Sequence, residues 1–369
     1  MDTTDPDIKF DRNGICNKCT AVVELYKSYP YNLSKEEKKK RLEELIKEIK
    51  KDGKGKPYDC VIGISGGVDS TYIAYKLKKR GINPLAVHLD NGWDSELAQK
   101  NIENFLNKLR IDLYTYVIDW EEFKDLQLSF LKAGTPDSEI PSDHAIVAVM
   151  YQLSAKYNLH YIVTGVNIAT ESVAVPAWSN GIWDWKYVKS VHDKFGTGKL
   201  KTYPHFTLAH LFYYRFVRKI KRISFLDYLE YDKFRAIKEL SDKFGFKYYG
   251  EKHYESIYTK FFQAYILPEK FGYDKRKIHL SSLICSNLIK RGEALKEMKK
   301  PLYAKDKLRE DKEYVLKKLD LTEKEFAGII NAPKKSFWDY PSYQKSWYYK
   351  YIWSLNLLHR KKFQHKYFQ

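Results

Sequence analysis

The chain contains no run of about 20 apolar residues, the length needed to cross a hydrocarbon core, and its amino end lacks the pattern of a secretory signal. These absences set the expectation of a soluble, cytoplasmic protein. Cysteine is scarce: Cys16, Cys19, Cys60 and Cys285 are the only four in 369 residues, too few for a disulfide framework. Cys60 lies in the apolar run Cys60-Val61-Ile62 and Cys285 in the apolar stretch from Leu280 to Ile289, so both read as core. No internal repeat is visible. Acidic residues fall short of basic ones, 47 against 65, which leaves a net charge of +18. That balance suits nucleic acid, an anionic membrane face or a phosphorylated substrate, and equally a Lys-rich surface with no partner. With 44% hydrophobic residues the chain is globular, long enough for a core domain of roughly 200 residues and a second region.

What is present is concentrated first at Gly63-Ile64-Ser65-Gly66-Gly67-Val68-Asp69-Ser70. An apolar strand (60–64), a glycine turn and a helix (69–80) closed by Gly81 follow one another. A glycine pair at such a junction exposes backbone N–H groups at a positive helix end, which suits a phosphate or pyrophosphate. Ser65, Asp69 and Ser70 add two hydroxyls and a carboxylate fitted to phosphate oxygens and Mg²⁺. The Gly-Lys-Ser/Thr ending of the Walker loop is missing, so γ-phosphoryl transfer is not implied. The string resembles the pyrophosphate loop of ATP pyrophosphatases, which split ATP into AMP and pyrophosphate.

Strand and helix patterns then alternate: strand 85–89 and helix 95–109, strand 113–118 and helix 121–131, helix 143–157 and strand 161–164. Ser34 caps an earlier charged helix, 35–51. Repeated units of this kind give an α/β fold, a parallel twisted sheet with helices on both faces, followed by a mainly helical C-terminal region. The expected segments are 1–55 (cysteine pair and charged helix), 56–175 (ATP-binding domain), 176–345 (helical, aromatic-rich) and 346–369 (basic aromatic tail). The sheet pattern is expected to stop near residue 175, and 208–220 to form an aromatic helix ending in Arg218, Lys219, Lys221 and Arg222. Ligands gather at the carboxyl ends of parallel strands. The loop at 65–70, the turn at Asp90 and the turn Thr164-Gly165-Val166-Asn167 all fall there, with Thr170 and Glu171 just beyond.

Two further clusters carry polar chemistry. Glu139 to His144 is an acidic loop opening a helix, either a cap or the lining of an acceptor site through Asp143 and His144. Lys252, His253, Glu255, Lys275 and Arg276 supply cations that could neutralise departing pyrophosphate and a carboxylate for Mg²⁺, or form a solvated basic face. Cys16-Asn17-Lys18-Cys19 is half of a tetrahedral zinc site.

Taken together these strings resemble the N-acetyl sugar amidotransferases of bacterial surface-polysaccharide synthesis, a branch of the pyrophosphate-loop enzymes. The resemblance spans roughly residues 1–345. It rests on Phe10-Asp11-x-Asn13-Gly14-x-Cys16-x-x-Cys19, the loop, His88-Leu89-Asp90-Asn91-Gly92-Trp93, Pro141-x-Asp143-His144 and Asn167-Ile168-Ala169-Thr170-Glu171. It continues through Lys252-His253-Tyr254-Glu255, Leu267-Pro268-x-Lys270-Phe271-Gly272 and Asp274-Lys275-Arg276. It implies an adenine nucleotide alpha-hydrolase-like fold. It also implies an ATP- and Mg²⁺-dependent conversion of a sugar acetamido group, on a nucleotide-linked sugar, to an acetamidino group. AMP is transferred to the amide oxygen, and ammonia then displaces AMP. The resemblance implies a glutaminase partner, since this chain shows no glutaminase signature. Relatives carry a second C-x-x-C upstream of Asp2-Thr3-Thr4-Asp5, absent here, so Cys16 and Cys19 make an incomplete zinc set. The alternatives are a tRNA-modifying enzyme, against which the lack of a catalytic cysteine pair deep in the chain argues, and a nucleotide-binding scaffold for a glutaminase.

Overall fold

Two helices precede the sheet in the computed structural model, which describes residues 1–249, 254–347 and 349. Helix α1 (Asn17–Tyr26) starts at Cys16, whose sulfur accepts the Cys19 N–H. Helix α2 (Lys35–Gly53) starts at Ser34, which exchanges reciprocal hydrogen bonds with Glu37, a capping box. Strands β1 (Cys60–Gly63), β2 (Pro84–Asp90), β3 (Leu113–Val117), β4 (Tyr161–Thr164) and β5 (Lys221–Ser224) form one sheet, all parallel, in the order β3-β2-β1-β4-β5. Between them run α3 (Val68–Lys79), α4 (Glu96–Leu109), α5 (Trp120–Ala133), α6 (Ile140–Lys156), α7 (Ile168–Glu171), α8 (Trp185–Phe195) and α9 (Leu208–Phe212).

The central strands β1, β2 and β4 are buried on both faces, as covered parallel strands must be, whereas the edge strands β3 and β5 are partly exposed. Cys60, Ile62 and Ala86 pack with Leu45, Ile73 and Phe105 from α2, α3 and α4. Val61, Leu85 and Val87 turn the other way, onto Phe130, Val149 and Val188 from α5, α6 and α8. The strand order reverses at β1: β2 and β3 extend to one side, β4 and β5 to the other. The crevice beyond the carboxyl ends of β1 and β4 is therefore the switch point where open α/β sheets take ligands.

Beyond the sheet come α10 (Lys233–Phe244), α11 (Ile257–Phe261), a ten-residue π-helical stretch (Phe262–Phe271), α12 (Arg276–Cys285), α13 (Arg291–Met298), α14 (Lys305–Lys318) and α15 (Glu323–Asn331).

Three expectations need correction. The sheet does not end near residue 175, because β5 pairs with β4 through Tyr161↔Lys221 to Thr164↔Ser224. The aromatic helix expected over 208–220 is shorter. It widens into a π-helical turn (Tyr213–Val217), and Lys219 takes the left-handed conformation (φ 55°) that breaks it before β5. A four-residue edge strand reading Lys-Arg-Ile-Ser has no apolar run to betray it, and cations are what edge strands commonly carry. The stretch expected as an acidic loop at 139–144 is also mostly helix. α6 begins at Ile140, and Pro141 sits in the first turn, where its missing N–H costs nothing.

Candidate active site

Gly66 has φ 78°, the left-handed region open to glycine, and a Cβ there would lie 3.1 Å from both the Ala98 carbonyl and the Tyr249 hydroxyl. That hydroxyl donates to the Gly66 carbonyl at 2.6 Å and accepts from Asn101 at 3.0 Å, so the turn is braced from outside. Gly67 caps α3 without a side chain, and a Cβ on it would meet Glu255 Oε1 at 3.1 Å. The loop is held closed by its own serines. Ser65 Oγ accepts the Gly67 N–H at 3.2 Å, and Ser70 Oγ accepts the Ser65 N–H at 3.3 Å. A phosphate could take over those donors at the start of α3.

Asp69 points across the switch point. Its carboxylate accepts from the Tyr231 hydroxyl and, at 3.5 Å, from Asn167 Nδ2. His88, at the end of β2, lies between two acceptors: Nδ1 is 3.0 Å from the Ile64 carbonyl and Nε2 is 2.9 Å from Asp94 Oδ2. Only the doubly protonated ring can donate to both. Burial opposes that charge, but the Asp94 hydrogen bond and negative charge outweigh it, so the pKa is raised. The two acceptors thus favour the protonated ring at the loop end of the site.

A cavity of about 440 Å³ joins this loop to a carboxylate-rich end formed by Asp137, Glu139, Asp143 and Glu171 and faced by Lys275. Glu139 accepts from Gln263 at 2.8 Å. Its pKa is raised by burial, which Lys275 partly offsets and Asp137 reinforces. Asp143 is ringed by protein yet opens onto the cavity. Burial first, then Asp137 and Glu139, push its pKa well above the usual carboxylate range.

The expected residues sort into three groups. Ser65, Gly67, Asp69, Ser70, Gly165, Asp143, Glu171, Glu255 and Lys275 all line this cavity. Others stand behind it. Gly66 shapes the turn, and Asp90 accepts the Gly92 N–H at 2.9 Å. Thr164 is buried against the Ile223 carbonyl, while Asn167 caps α7 and takes Thr170 with it. Two of them point elsewhere. His144 donates to the Ile182 carbonyl (2.7 Å), accepts from the Phe206 N–H (3.3 Å), and stacks on Phe206 with burial lowering its pKa to about 3, a core histidine. Arg276 pairs with Asp274 at 2.8 Å and donates to the carbonyls of Glu297 and Lys300 at the end of α13, away from the cavity lining. Lys252 and His253 lie outside the described residues.

Sequence reasoning missed Tyr231, Tyr249, Asp137 and the His88–Asp94 pair as site residues. Tyr231 follows β5, so no motif could announce it before that strand was known. It also missed Asp227, whose pKa burial lifts to about 7 and which accepts the Ile168 N–H at the start of α7 at 2.8 Å.

The cysteines regroup as well. Cys16 and Cys19 sulfurs are 3.4 Å apart, and Cys19 donates to Cys285, which lowers the Cys285 pKa to about 7. Cys285 is thus a half-buried member of a thiol cluster rather than plain core. Among the described residues no group of three or more His, Cys, Asp or Glu is arranged to hold a metal ion. No helix among them is long and apolar enough to cross a membrane.

Comparison with known proteins adds a partial frame. Over 176 residues the chain is 30% identical to the uncharacterized protein MJ1599 of Methanocaldococcus jannaschii, covering 47% of this chain and 59% of that protein. Over 153 residues it is 30% identical to a tRNA-specific 2-thiouridylase MnmA of Mesomycoplasma hyopneumoniae (strain 7448), covering 34% of this chain and 41% of that enzyme. The chain therefore spans roughly half the length of these relatives. Among solved structures it superposes on an NH3-dependent NAD synthetase from Campylobacter jejuni with 12% identity and a TM-score of 0.34, covering 81% of this chain and 98% of that one. The segment that brings Glu255, Gln263 and Lys275 to the cavity lies within residues 255–355, which match the family model of the C-terminal domain of WbpG-like lipopolysaccharide biosynthesis proteins.

Proposed function

We propose that the chain is an ATP-dependent amidotransferase that adenylates the acetamido oxygen of a nucleotide-linked sugar and forms an acetamidino group with ammonia. The observation that carries this reading is one cavity holding two chemistries. A glycine loop and His88 stand at one end, and carboxylates with one lysine at the other, the latter partly supplied by the segment matching a surface-polysaccharide family. The similarity to a thiouridylase is compatible with a pyrophosphate-loop nucleotide enzyme.

An amide resists ammonia because its oxygen is a poor leaving group. Attack of that oxygen on the α-phosphorus of ATP gives an O-adenylyl imidate and pyrophosphate. Ammonia adds to the imidate carbon, AMP leaves with the C–O bond, and loss of a proton yields the amidine. The backbone N–H groups of 65–70 and the serine hydroxyls would hold pyrophosphate in line, with a protonated His88 adding positive charge. Asp69 would hold Mg²⁺ together with the phosphate oxygens, since Mg²⁺ commonly takes one or two carboxylates and completes its shell from substrate and water. Glu139 and Asp143, whose pKa values are raised, would in their ionised form accept the proton that ammonia must shed. Glu171 and Gln263, which also line the cavity, would bind sugar hydroxyls. The ammonia would come from a glutaminase subunit.

The test is AMP release from ATP–Mg²⁺ with ammonium chloride, comparing nucleotide-linked acetamido sugars with bulk tRNA. Release that needs both sugar and ammonia, with a product one mass unit lighter than the sugar, is expected. Release with tRNA alone would replace this reading with the tRNA-modifying one. That second reading draws on the thiouridylase similarity, and against it stands a cavity whose described lining includes no cysteine. Amidine formation unchanged in Asp69→Asn would leave only a scaffold role.

A further inference from the structure

From Lys194 to Leu226 the chain carries eight Lys or Arg and no Asp or Glu, the opposite of its mixed surface elsewhere. Within that stretch α9 and its π-helical turn expose four large apolar side chains together: Phe212 (60%), Tyr213 (43%), Phe216 (46%) and Val217 (59%). Their inner side is pinned. Tyr214 stacks on Tyr151 of α6 at 5.1 Å, and Arg218 donates to the Ala155 carbonyl at 2.8 Å and to Asn158 at 3.0 Å. The outer side is therefore presented by a fixed backbone and is not a frayed end. Arg215 lies 5.6 Å from the Phe216 ring, and Lys219 and Lys221 are exposed beside the apolar group.

We propose that this face docks on the surface of an anionic lipid bilayer. Aromatic and aliphatic side chains flanked by cations are what interfacial helices use, the former entering the acyl boundary and the latter meeting headgroup phosphates. Charge selects among occupants. A second copy of this chain would set two +18 molecules against each other through basic faces. Single-stranded nucleic acid would want free ring faces to stack on. Phe212 and Phe216 instead lie against each other at 4.9 Å, and Val217 offers no ring at all. The face belongs to the flank of α6 and β5, away from the cavity lining, so docking leaves the site open to a water-borne substrate.

The test is flotation of the full chain with vesicles of phosphatidylcholine alone, or with about one third phosphatidylglycerol, at low and high salt. Expected is capture by the anionic vesicles that high salt weakens, with little capture by the neutral ones. Phe212→Ser with Phe216→Ser removes apolar area at constant charge, and Arg215→Gln with Lys219→Gln does the reverse. Each pair should weaken capture by about tenfold. Lys39→Gln with Lys40→Gln, exposed on α2, should leave it unchanged, with circular dichroism checking that all three are folded. Absence of capture overturns the proposal, and so does equal loss in the α2 control. Retention by bulk RNA that the phenylalanine pair abolishes, or a change of oligomeric state without vesicle binding, would overturn it in favour of that occupant.

Discussion

The two ends of the cavity are made in opposite ways. The loop end is built around one contiguous stretch, Gly63 to Ser70, with His88 beside it: a strand stops, Gly66 turns left-handed, and α3 starts at Val68. The carboxylate end gathers Asp137 and Glu139 before α6, Asp143 in its first turn, Glu171 on α7 and Lys275 before α12. The first can be recognised from eight letters, whereas the second exists only once the chain has folded. Their electrostatics differ in the same sense. The loop end uses backbone dipoles and a His88 whose pKa is raised by Asp94, while the other holds carboxyls whose pKa values burial and mutual repulsion raise.

The sharpest way to break the comparison is Asp69→Asn, which is expected to lower AMP release by about a hundredfold or more while the protein stays folded. A fall of only a few-fold would mean the loop end is not the reaction centre. At the other end, Asp143→Asn should cut sugar-dependent turnover by about tenfold to a hundredfold, the range for lost acid–base assistance. The same change should stabilise the fold. Because its folded pKa lies above its unfolded value, Asp143 weakens stability once pH rises past the unfolded value. That penalty is full above the folded one. Asparagine removes it, so the denaturation midpoint near neutral pH should rise, read by denaturant titration. A destabilised Asp143→Asn would show that the carboxylate is structural.

Gly66→Ala should cost about 1–2 kcal/mol from its left-handed backbone alone, with the 3.1 Å contacts adding to it. An unchanged denaturation midpoint would mean the loop relaxes freely. Smaller again is the His88 effect. Its raised pKa means its contribution is whole below the unfolded histidine value and fades as pH rises through the folded one. The stability difference between wild type and His88→Gln should shrink across that window. A difference flat in pH would show a neutral ring. Tyr231→Phe removes one donor to Asp69, and a change of a few-fold in Mg²⁺ dependence with unaltered stability would mark Tyr231 as a positioning residue.

The fold was largely legible because four of its five strands are short apolar runs between turns. Ser34, Ser95 and Asp119 each announce a helix by accepting a backbone N–H at its start. β5 was not, since Lys221 and Arg222 disguise it as the end of a helix. His144 misled because it sits one residue from Asp143. On a helix that single step turns a side chain by about 100°, here from the cavity into the aromatic core. Cys285 misled because apolar neighbours in sequence say nothing of the two thiols that α1 brings against it.

What the sequence determined by itself is the glycine loop and the alternating βα order, since both depend on contacts between residues a few positions apart. The tertiary structure decided which charges meet. Tyr231 reaches Asp69 across 162 positions and Gln263 reaches Glu139 across 124, through strand and helix placements no local pattern encodes. A carboxylate's protonation depends on every group around it in space, so the character of the acidic end could be known only after folding.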